Sequence, residues 1–136
     1  MYLTYQPEGS EEPKRWKYDF RRLNTMEREA IERHTGLDFA EWTQKVLRGN
    51  DKARRALLFT FLRRDHAGIK WEDVQFFWDE VKLEYSRQEY EVQREEVLKT
   101  LHGDELANAL QKIDEEIETA FDDLEVTGKA QLPIAD

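Results

Sequence analysis

The chain has 136 residues, 38% charged and 39% hydrophobic, with a net charge of −9 and no cysteine. That length fits one domain, or a domain with an extension, and the missing cysteine excludes disulfides, thiolate nucleophiles and cysteine-bound metals. An aromatic share of 12% argues against disorder throughout, and the densest apolar run, ALLFTFL at 56–62, is far too short to span a bilayer.

The start, MYLTYQPEGSEE, lacks a basic segment followed by an apolar one, so no signal peptide is expected, and a soluble intracellular protein is. Charge is uneven. Residues 1–69 carry 14 Lys+Arg against 11 Asp+Glu, and residues 70–136 carry 7 against 19. The second half repels nucleic acid and anionic membrane, so neither is expected as a partner.

In chain order, Trp16, Tyr18 and Phe20 alternate with Lys17 and Asp19, the period of a half-buried strand. YLTY at 2–5 is its expected hairpin partner across the turn-rich QPEGSEEPK. Asn24 and Glu27 have capping-box spacing and start a helix that runs to about Thr35. Met26, Ala30 and Ile31 form its inner face, and Gly36 supplies a left-handed cap. His34 falls in its last turn, where a cation complements the helix dipole. Asp38 and Glu41 repeat the capping spacing before a helix with Phe39, Trp42 and Val46 on one face. Gly49 closes it, and Asn50 or Asp51 caps a third helix. That helix is apolar almost all round from Ala56 to Leu62 and is therefore expected at the centre of the domain.

A long helix is expected next, from Trp71 or Glu72 to Leu101, with two apolar rows of seven-residue spacing. Trp71, Trp78, Tyr85 and Val92 form one, flanked by Val74 and Val81; Phe76, Leu83, Tyr90 and Val97 form the other, about 140° away. A last helix, from Asp104 to about Glu125, carries Leu106, Leu110, Ile113, Ile117, Phe121 and Leu124 in a single stripe. It is expected to fold back as an αα-hairpin with its turn at LHGDE.

The expected fold is therefore mainly α: a small helical domain with a short N-terminal β-hairpin or strand, then a long helix and an antiparallel C-terminal helix. Residues 1–82 form the compact domain, 83–125 an acidic helical hairpin and 126–136 a flexible tail. Trp42, Leu57, Phe61, Val74, Trp78 and Val81 are the expected core. The surface left for partners comprises Phe76, Leu83, Tyr90, Val97, Leu101, Leu110, Ile117 and Phe121.

Candidate chemistry is sparse. His34, His66 and His102 lie near helix ends and match no zinc spacing. Ser10 and Ser86 are the only serines, and neither sits in a nucleophile elbow. DEEIETAFDDLE at 114–125 lacks the residue order of a calcium loop, and no E-x-x-H di-metal motif occurs. Arg54, Arg55, Arg63 and Arg64 bracket the third helix without forming one stripe, since Arg54 and Arg63 stand about 180° apart. The glycines are scattered rather than gathered into a phosphate loop. No catalytic, metal or cofactor site is expected, which leaves protein partners.

The order of these residues resembles a known family. EAIE at 29–32, Thr35-Gly36, Trp42, Gly49, RALL at 55–58, LRR at 62–64 and IKWEDV at 69–74 look like the small tail assembly chaperones of long-tailed phages, in the version typical of phages of actinobacteria. The likeness covers about residues 16 to 82. It implies a non-enzymatic protein of the host cytoplasm, absent from the finished tail. Such a chaperone coats the long, helical, aggregation-prone tape-measure protein, or another tail protein, while tube subunits polymerise. Many family members are also made in a longer, frameshifted form. The alternative expectation is a homo-oligomeric structural or adaptor protein that associates through its C-terminal hairpin.

Overall fold

The structure is a computed structural model in which residues 1–123 are described. It is mainly α, with a small antiparallel sheet, and divides into two compact units at Glu84/Tyr85. The expected tail at 126–136, with Leu124 and Glu125, lies outside the described residues.

In the first unit, β1 (Tyr2–Tyr5) pairs antiparallel with β2 (Lys14–Lys17) and with β3 (Val81–Glu84), so the sheet order is β2-β1-β3. Leu3 stands opposite Trp16 on one side and Leu83 on the other, and it is fully buried. The outer strand β2 carries Lys14, Arg15 and Lys17, charges that discourage further strands from pairing there. The alternation of Trp16, Tyr18 and Phe20 runs beyond the strand. β2 ends at Lys17, Tyr18 enters the core, and Phe20 opens a 3-10 turn at Phe20–Arg22 where it is half exposed.

Three helices pack beneath: α1 (Thr25–Thr35), α2 (Phe39–Leu47) and α3 (Asp51–Asp65). The Asn24–Glu27 capping box forms in both directions, and Gly36 takes a φ of +70° at the C-cap. Asp38 makes no side-chain cap. The Glu32 carboxylate of the preceding helix instead accepts the Phe39 N–H, the first of the helix, at 3.1 Å. Met26 points away from the expected inner face and is exposed, while Ile31 is buried. The Asn50 side chain caps α3 by accepting the Ala53 N–H.

Every residue from Ala56 to Phe61 in α3 is buried, as a central helix requires. Trp42 is fully buried and donates its indole N–H to the Ala53 carbonyl at 3.0 Å. Trp16 stacks on Phe61 at 5.6 Å and donates to Asp65, tying the sheet to α3. The core thus contains Trp42, Leu57, Phe61, Val74 and Val81.

The long helix expected from Trp71 does not form. Residues 71–84 run as a 3-10 turn (Trp71–Asp73), an extended segment, a second 3-10 turn (Trp78–Glu80) and β3. Glu80 explains much of this. One carboxylate oxygen accepts the Phe77 N–H and the other the Glu8 N–H, each at 2.6 Å, while its carbonyl accepts the Gln6 N–H. These bonds pin the segment beside the β1–β2 loop. The β1 ladder then offers Val81–Glu84 backbone partners, and Val81 enters the core. Trp78, expected in that core, is 75% exposed instead.

The second unit is a pair of antiparallel helices, α4 (Arg87–Thr100) and α5 (Gly103–Thr119). Ser86 and Glu89 form a two-way capping box that starts α4, and Gly103, at φ +61°, opens α5. α5 stops at Thr119, so Phe121 lies past the helix end rather than on its stripe.

Candidate partner-binding surface

The hairpin is held by polar links between its helices. Arg94 pairs with Asp114 at 3.0 Å, and the Tyr90 hydroxyl donates to Glu116 at 3.5 Å. Arg87 reaches Asp122 at 3.4 Å, its backbone N–H meets the Phe121 carbonyl, and the Asp123 N–H meets the Gln88 side chain. This register brings the level of Val97 to that of Leu110 and places Leu101 near the turn.

The apolar seam between the helices stays partly open. Tyr90, Val97 and Leu101 on one side, and Leu106, Leu110, Ile113 and Ile117 on the other, are each half-buried, and neither helix contains a buried residue. Two helices in contact leave the outer flanks of their apolar faces to solvent; bundles close such faces with a third or fourth helix. Val92 and Leu98 are further exposed apolar residues of α4, at 66% and 46%.

Of the eight residues expected to face partners, Tyr90, Val97, Leu101, Leu110, Ile117 and Phe121 belong to the hairpin unit. Phe76 and Leu83 do not. Phe76 sits on the extended segment of the first unit and Leu83 pairs with Leu3 in the sheet, so the helical row they were to share with Tyr90 and Val97 does not exist.

The first unit carries grooves on its surface. One, of about 490 Å³, is lined by Trp71, Val74, Phe76 and Trp78 with Lys52 and Arg55 at its side. Next to it Phe77 is 68% exposed. Neither the groove nor Phe77 and Trp78 as surface residues emerged from the sequence, although WEDVQFFWDE crowds four aromatics among four acids, an unusual content for a buried helix face.

Another groove, of about 310 Å³, lies between α1 and α3 and is lined in part by Glu27, His34, Phe59, Arg63 and Arg64. Its charges are largely engaged. Arg64 donates twice to Glu27, at 2.7 and 2.8 Å, which holds that carboxyl below its ordinary range. His34 stacks on Trp71 at 4.5 Å and meets Phe59 edge-on at 5.2 Å. Burial, followed by the charge of Arg33, lowers its pKa against a smaller opposing pull from Glu72. His34 is therefore a neutral aromatic packing group near pH 7, not the dipole-compensating cation expected from its position.

Among the described residues no group of three or more His, Asp or Glu side chains stands where it could hold a metal ion, and no helix is long and apolar enough to cross a membrane. No protein-family description, curated protein or solved structure matches the chain.

Proposed function

We propose that this chain is a phage tail assembly chaperone, a non-enzymatic protein that binds and solubilises the tape-measure protein in the host cytoplasm while the tail is built. The assembly system comes from the resemblance over residues 16 to 82. The observation that supports a binding role is the hairpin: two helices with apolar stripes and not one buried residue between them. Such a surface suits the helix-in-groove mode, in which an amphipathic helix lays its apolar face along apolar positions of its host. The excess of acidic residues keeps a loaded complex dispersed.

The same open seam supports a second reading, a homo-oligomeric structural or adaptor protein whose hairpins bundle with one another. Co-expression with the longest coiled-coil protein of the same genome, followed by affinity pull-down, separates the two. Co-purification, with the partner soluble only when this chain is present, is the expected result. No interaction, together with a discrete homo-oligomer in light scattering, overturns the chaperone reading in favour of the adaptor.

A further inference from the structure

We propose that the occupant of the open hairpin seam is a basic amphipathic helix from another protein, and not a second copy of this chain. The proposal rests on the reading that the hairpin is the docking surface, and adds the chemistry of what docks.

The distribution of charge carries it. Residues 1–84 hold 16 Lys+Arg and 16 Asp+Glu and are neutral overall, whereas residues 85–136 hold 5 against 14. The whole net charge of −9 therefore belongs to residues 85–136. Within α5 one lysine, Lys112, stands among six acids. Two of the five cations in residues 85–136, Arg94 and Arg87, are already paired with Asp114 and Asp122, which leaves 3 against 12. A helix laid along the seam thus meets half-open leucine and isoleucine side chains flanked by carboxylates.

A second copy brings the same negative excess to the same place, and like charges across an interface oppose association. A helix with apolar residues at three- and four-residue steps and Lys or Arg beside them satisfies both features at once. The length of the site is set by α5, whose 17 residues span about 25 Å, or about five turns.

The test is fluorescence anisotropy of the full chain with three labelled synthetic helices of about five turns: one with Leu on one face and Lys on the other, one with Gln replacing Lys, and one with the Leu/Lys sequence scrambled to remove the face. The Leu/Lys helix is expected to bind about tenfold or more tighter than either control, and to weaken about tenfold as salt rises from about 0.05 to about 0.3 M. The double change Leu110→Ser with Ile117→Ser should remove this binding while the melting of the first unit is retained. Equal binding of the Leu/Gln helix overturns the charge selection and leaves the docking surface standing. Equal binding of the scrambled peptide overturns the proposal as mere charge attraction. If no probe binds, the docking reading falls with it. A stable homodimer that the double change dissolves overturns it in favour of the second copy.

Discussion

The two units of this chain use the same residue types to different ends. Residues 1–84 surround α3 with a sheet and two further helices, so that Leu3, Trp42, Leu57 and Leu58 are wholly removed from water. Residues 85–123 form one pair of helices, and their leucines and isoleucines stay half in solvent. Burial of apolar area scales with how many sides of an element are covered. A central helix covered all round yields a closed core, and a lone hairpin yields a seam. The first unit closes its core, and the second leaves its apolar row half in solvent.

Substitutions sharpen that contrast. Leu57→Ala opens a cavity in the closed core and should cost about 3–5 kcal/mol in denaturant unfolding. Glu80→Ala removes the carboxylate that holds both Phe77 and Glu8, and a loss of about 2 kcal/mol is expected from the missing charge-assisted bonds. Ile117→Ala, on the half-open seam, should cost only about 1 kcal/mol. A loss there as large as that of Leu57→Ala contradicts the division into closed and open units. Trp78→Ala removes the largest side chain of the four but one that is 75% exposed, and stability should change by less than about 0.5 kcal/mol.

Acid titration offers a finer probe of the first unit. The folded-state pKa of His34 lies below its ordinary 6.5, so the unfolded chain takes up the proton first. The stability supplied by the neutral ring is complete above 6.5 and is lost as pH falls through the folded value. Glu27 acts lower. With its pKa held below 4.5, mainly by the hydrogen bond from Arg64, its contribution is complete above 4.5 and is lost as pH falls through its own folded pKa. His34→Gln should flatten the first decline in a pH series of thermal melts, and Glu27→Gln the second.

The sequence is most readable where structure is local. The Asn24–Glu27 box, the positive-φ glycines at 36 and 49, and the buried run of α3 involve residues within a few positions of one another, and each forms. Legibility is lost across 71–84, where the seven-residue spacing of Trp71, Trp78 and Tyr85 imitates a helix. Two local signals point the other way. Val81 and Leu83 alternate with Lys82 and Glu84, and Ser86-x-x-Glu89 marks a helix start inside the supposed helix. The deciding interactions are nonetheless distant: Leu83 pairs with Leu3 and Glu80 bonds Glu8, across some seventy to eighty residues. Composition alone does not reveal such pairings. The half-buried row Leu106, Leu110, Ile113 and Ile117 of α5 was legible through its three- and four-residue steps, and the exposed pair Phe77 and Trp78 was not, because exposure depends on that same long-range contact.

Amide hydrogen exchange on the full chain, alone and with the Leu/Lys helix bound, tests the central contrast most directly. Alone, the amides of α2 and α3 should exchange far more slowly than those of α4 and α5. Binding should then slow α4 and α5 and leave α2 and α3 unchanged. Equal protection of both units in the free chain, or new protection confined to the first unit on binding, would contradict the account.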